Sequence, residues 1–184
     1  MSQHIDVIIS QGRVGDRTDG ALPGALKAGT GLAALLAVEP RIIGTPSAST
    51  TDDWSVSLPA ASETLTQLRD ALRLSLDAGR LPVLATNTCG ASIGTLPTVA
   101  ERFPEAVVLW IDAHGDFNTP QTTGSGYLGG MVLLPGAPAL SRAPPRALSV
   151  SGGACAPDRV PSGCGCVCAR RRSSSCRWPT AAPA

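Results

Sequence analysis

The chain has 184 residues, enough for one domain with a real core. Its formal net charge is +1, which offers no bulk electrostatic case for binding nucleic acid. No apolar run approaches the ~20 residues that a bilayer demands, so no membrane partner is expected. The start, Met1-Ser2-Gln3-His4-Ile5-Asp6, lacks the basic and apolar regions of a signal peptide, so cytoplasm is the default expectation. Residues 5–9 form a short apolar run and predict a first strand. A polar loop follows, Gly12-Arg13-Val14-Gly15-Asp16-Arg17-Thr18-Asp19-Gly20. Arg13, Asp16 and Arg17 read mainly as a solvated loop. Asp19 stands where it could cap a helix over residues 22–37. Gly29-Thr30-Gly31 lies inside that helix and follows no strand, so it is not a dinucleotide fingerprint.

Residues 41–44 predict a second strand. The turn-rich segment 45–57 contains Asp52 and Asp53, read as solvated more readily than as ligands. Residues 60–79 carry the clearest helix signal. Leu65, Leu68, Leu72 and Leu76 share one face, and Gly79 marks the stop. Residues 81–85 predict a strand leading into Asn87-Thr88-Cys89-Gly90. A helix over 92–103, kinked near Pro97, comes next. Strand and helix alternate, which predicts α/β architecture with a parallel, doubly wound sheet.

The chemistry gathers at Val107-Val108-Leu109-Trp110-Ile111-Asp112-Ala113-His114-Gly115-Asp116. The apolar run over 107–111 reads as a strand buried on both faces. If the chain stays extended beyond it, Asp112, His114 and Asp116 point one way, at the carboxyl end of the strand. Two carboxylates beside an imidazole need a compensating cation, and a divalent metal fits. Oxygen donors with one imidazole suit manganese, zinc or iron.

Asp112-Ala113-His114-Gly115-Asp116-Phe117-Asn118-Thr119-Pro120, followed by Ser125-Gly126-Tyr127-Leu128-Gly129-Gly130-Met131, resembles the ureohydrolase family: arginase, agmatinase and formiminoglutamase. The resemblance extends weakly upstream to about residue 5 and stops near Leu134. It implies a three-layer α/β/α fold, incomplete here at the C-terminal side. It also implies hydrolysis of a guanidino or amidino C–N bond with two manganese ions. Asp112, His114 and Asp116 match metal ligands, with His114 and Asp116 also in catalytic roles. Asn118 and Ser125 match residues that hydrogen-bond the substrate.

Cys89 stands where the resemblance places another metal-ligating His, aligned through Ile93-Gly94-Thr95-Leu96. Its thiolate could ligate a metal, it could be a nucleophile paired with His114, or it could be a small buried hydrophobe. Gly129 replaces a proton-relaying His, and the family's later Asp-x-Asp ligand pair has no match. The expectation is therefore one bound ion or none, and impaired hydrolysis. A catalytically inactive remnant and a Cys89/His114 cysteine hydrolase are the alternatives. The partner implied is a small guanidino or amidino substrate, and a homo-oligomer is compatible with the family.

Residues 135–184 hold eight of the 16 prolines and five of the six cysteines. No helical or strand period is visible, so an irregular tail is expected. Cys155, Cys164, Cys166, Cys168 and Cys176 lack paired knuckle spacing, and Arg170 to Arg172 read as a solvated run.

Overall fold

A computed structural model describes residues 4–133 and the backbone of Leu148–Ser151. Three strands form one parallel sheet in the order β2-β1-β3: β1 (Ile5–Ser10), β2 (Arg41–Ile43) and β3 (Leu81–Ala85). Placing β1 in the centre follows from its burial, since Val7, Ile8 and Ile9 are essentially inaccessible.

Helices cover both faces, because side chains of β1 alternate between them. Val7 and Ile9 pack with Ala33 of α1 (Ala21–Leu36). Gly29 has no side chain, and a Cβ there would lie 3.0 Å from that of Ala85, so α1 seats closely on the sheet. On the opposite face lies α3 (Ser62–Asp77), whose Leu65, Leu68 and Leu72 are buried. Burying each such leucine contributes roughly 1.5–3 kcal/mol. The end of α3 is closed by Gly79 at φ +67°, with Gly79 N–H donating to Leu76 O and Arg80 N–H to Ser75 O, both at 3.0 Å. The three-layer α/β/α expectation holds for this sheet.

Several local expectations change. The helix read over 60–79 is α3, and a further helix, α2 (Trp54–Ala60), stands just before it in the segment read as turn-rich. Asp53 is the N-cap of α2, and its carboxylate accepts from Ser55 N–H at 2.8 Å. Asp53 is thus a cap rather than a merely solvated residue. Asp19 caps nothing. Gly20 is the N-cap of α1, and Asp19 accepts instead from the Ser49 hydroxyl at 2.7 Å. The loop after β1 is not solvated throughout, since Asp16 is 1% exposed.

After α4 (Ser92–Arg102), β4 (Leu109–Asp112) forms a second, two-stranded parallel sheet with β5 (Leu148–Ser151). Among the described residues β3 and β4 do not pair, although they flank α4. One expectation fails here. β4 is not buried on both faces, since Leu109 is 61% and Ile111 77% exposed. A strand also stands at 148–151, where no period was legible. Those backbone amides pair with β4, so strand formation there follows a partner rather than a side-chain pattern. Cys155, Cys164, Cys166, Cys168, Cys176 and Arg170 to Arg172 lie outside the described residues.

Candidate metal centre

Three segments build the site. The first is the loop after β1, tied down by Asp16. Its carboxylate accepts from Val14 N–H at 2.9 Å and from Arg13 Nη1 at 3.0 Å. It also accepts from Asn87 Nδ2 at 2.8 and 2.9 Å. The second segment is the turn after β3. Asn87 also donates to Gly12 O at 2.9 Å, and the Thr88 hydroxyl to Val14 O at 3.0 Å. A Cβ on Gly90 would lie 2.9 Å from Val14 O, so the loop and the turn lie against each other. These contacts hold Cys89 at the start of a single 3₁₀ turn, Cys89–Ala91.

The third segment follows β4. The chain does not stay extended past Asp112. It bends at Ala113 and His114, and Asp116 adopts φ +51°, a left-handed conformation that Asp tolerates better than most residues. The alternation that was to align Asp112, His114 and Asp116 is therefore broken. Asp112 and Asp116 still converge, and the third member of the cluster is Cys89. Ligand atoms of Cys89, Asp112 and Asp116 all lie within 4.8 Å of one another. His114 turns outward instead. Its side chain is 76% exposed, with Nδ1 3.5 Å from Asp112 Oδ1.

The electrostatics follow from that packing. Burial, with the two nearby carboxylates, pushes the Cys89 thiol up to about 12. The thiol is therefore protonated and donates to Asp112 Oδ2 at 3.3 Å. Burial and the Asp112 charge raise Asp116 above the usual carboxylate range. Burial also pushes Asp112 upward, but hydrogen bonds from the His114 amide and the Cys89 thiol outweigh it and hold Asp112 low. Asp116 Oδ2 is buried with no hydrogen-bond partner among the described residues. A neutral thiol beside two acids is a poor nucleophile, and no Cys89–His114 hydrogen bond exists among the described residues. The cysteine-hydrolase alternative loses its base.

Asn118 and Ser125 lie on the irregular segment between Asp116 and the turn Leu128–Met131. Asn118 N–H donates to Gly130 O at 3.0 Å, and the exposed Ser125 accepts from Tyr127 N–H at 3.2 Å. Sequence reasoning missed Tyr127. Its ring is half-buried, and Arg17 Cζ stacks over it at 5.1 Å from the centroid. Arg17 also donates to the carbonyls of Ser125 and Asp52 at 3.0 and 3.3 Å. A large aromatic two residues before Gly129 was the available signal.

The family model described as "Arginase family" matches residues 23–151. The chain belongs to the arginase family. The match runs past Leu134, where the sequence resemblance was placed at its end. The N(omega)-hydroxy-L-arginine amidinohydrolase of Streptomyces lavendulae is 50% identical over 129 residues, covering 70% of this chain and 47% of that protein. An arginase of Bacillus caldovelox is 38% identical over 77 residues, covering 42% of this chain and 26% of the relative. The solved arginase of Bacillus cereus superposes with a TM-score of 0.57 at 26% identity, covering 72% of this chain and 46% of its own. The chain thus spans about half the length of the streptomycete relative and of the solved arginase. The parallel sheet flanked by helices is the corresponding part of an arginase-type α/β fold. No helix among the described residues is long and apolar enough to cross a membrane.

Proposed function

We propose that this chain carries one wall of a metal-dependent ureohydrolase site acting on a guanidino or amidino compound. The observation that supports it is the convergence of Cys89, Asp112 and Asp116 from two different sheets. The donor set fits a divalent ion. Asp116 Oδ2 is buried without a partner among the described residues, and a cation would take the place of the Cys89 thiol proton, which leaves to solvent. Two carboxylates suit manganese, while the sulfur adds affinity for zinc. A bound ion supplies Lewis acidity and a more acidic water.

The chain's own residues supply the rest. Hydrolysis adds water to the guanidino carbon and releases an amine, so a proton must leave the water and another must reach the departing nitrogen. His114 on the rim, beside Asp112, is placed to exchange protons with solvent. Asp112 and Asp116 would supply the negative charge that holds the ion. Asn118 and Ser125 orient the substrate. An N-hydroxyguanidine is the favoured substrate class, because the streptomycete relative is named for one and shares half the matched residues.

Three donors hold one ion loosely, and the Asp-x-Asp pair is absent, so hydrolysis by this chain alone is slow. We propose that residues beyond 151, where the family match ends, are a tail distinct from the α/β part, and that the compartment is the cytoplasm.

The test is calorimetric titration of manganese and cobalt(II) into the full chain beside a urea-release assay. One weakly bound ion is expected, with a cobalt–thiolate absorption band that disappears in Cys89→Ser. No metal binding at any pH up to 9 would overturn the reading and leave an inactive remnant. Two tightly held manganese ions with rapid turnover would overturn the single-ion, slow-hydrolysis form of it.

A further inference from the structure

Tyr127 is a large polar side chain near the cluster to which no role has been given. It is the only tyrosine in the sequence. It begins the second single 3₁₀ turn as N-cap of Leu128–Met131, which packs on the Cys89–Ala91 turn. A Cβ added to Gly129 would lie 2.6, 2.7 and 2.9 Å from Cε1, Cζ and the hydroxyl of Tyr127. The hydroxyl end of the ring therefore occupies the space a side chain at 129 would take. That space adjoins the site. Gly130 O accepts from Asn118 N–H at 3.0 Å, and Leu133 N–H donates to Asp116 O at 2.9 Å, so the turn is laced to the loop carrying Asp116.

Arg17, stacked over the ring, braces its face. The phenol makes no side-chain hydrogen bond among the described residues. Burial, with Cys89, Asp16 and Asp116 nearby, also keeps it protonated. The group is therefore a braced, neutral O–H with a free donor and free lone pairs.

We propose that Tyr127, seated in the space left by Gly129, is the residue that recognises the N-hydroxyl of an N-hydroxyguanidine. The inference rests on the ureohydrolase reading and deepens it. A guanidinium offers only N–H donors. Such a group can use the phenol oxygen alone. An N-hydroxyl adds an oxygen that can accept the phenol proton, so the O–H rewards that substrate specifically. Gly129 is what permits the arrangement, since any side chain there displaces the ring.

The test uses the full chain with manganese, and N-hydroxyguanidine and guanidine as paired probes. Calorimetry is expected to show a preference of about tenfold for N-hydroxyguanidine, the size of one well-made hydrogen bond. Tyr127→Phe, which keeps the ring and its contact with Arg17, should abolish that preference while leaving the metal titration unchanged. Gly129→Ala should do the same by pushing the ring aside. With a single tyrosine, the Raman doublet that reports phenol hydrogen bonding belongs to Tyr127, and it should shift with N-hydroxyguanidine but not with guanidine. A preference that survives in Tyr127→Phe, an unresponsive doublet, or no binding of either probe to a metal-loaded chain would overturn the proposal while the metal reading stands. Failure to take up metal at all would overturn both.

Discussion

At the scale of single residues, the cluster is built at a cost. Asp116 is buried and left-handed, has an unpartnered oxygen, and faces Asp112. Such a group weakens the metal-free fold. Asp116→Asn removes the charge and keeps a residue that tolerates the same backbone. It should raise metal-free stability by about 1 kcal/mol in urea unfolding and abolish metal uptake. A variant less stable than the parent would show that the carboxylate is satisfied. A second residue carries strain without function in view. Ala37 ends α1 at φ +53°, with Val38 N–H donating to Ala33 O. Ala37→Gly should stabilise by about 0.5–1 kcal/mol, since glycine enters this region freely. An unchanged urea midpoint would refute it. The residue types at the site were legible, because Asp112, Asp116 and Cys89 follow strands. The outward turn of His114 was not, because it goes with the bend at Ala113 and His114, which no side-chain pattern announces.

At the scale of elements, periodicity served well where packing is one-sided. The α3 stripe of Leu65, Leu68 and Leu72 and the apolar run of β1 were read nearly to their ends. The short helix α2 was missed, since most of it lies in a turn-rich segment where Asp53 looked like a loop residue. The exposure of β4 was missed for another reason. A run such as 107–111 reports what a strand would bury, not whether a neighbouring layer is there to bury it. One element contact sets a pH response. Arg80, just before β3, donates to Asp6 of β1 at 2.8 Å. Burial pushes Asp6 upward, but the hydrogen bond and charge of Arg80 outweigh it and hold its carboxyl below the usual range. A lowered folded value contributes stability that is present above the unfolded pKa of about 3.9 and is lost as pH falls through the folded one. Wild type should therefore lose more stability than Asp6→Asn between about pH 5 and pH 2. Parallel losses in the two proteins would remove Asp6 from the acid response.

At the scale of the whole molecule, the described part is two small sheets that share no strand pairing. Cys89 follows the three-stranded sheet, whereas Asp112 ends the two-stranded one and Asp116 follows it. An ion held by all three is therefore a cross-link between separately hydrogen-bonded bodies, and its binding free energy is also cohesion between them. By mass action, a ligand at 100 times its dissociation constant adds about 2.7 kcal/mol to whatever opening it must be released for. The backbone amides of β4 should then exchange with deuterium more slowly when manganese or zinc is present, while those of β1 change little. Equal slowing everywhere would mean that the two sheets already open as one. If the prediction holds, the metal in this chain is a structural clasp as much as a reagent, and its removal by a chelator would loosen one sheet and leave the other closed.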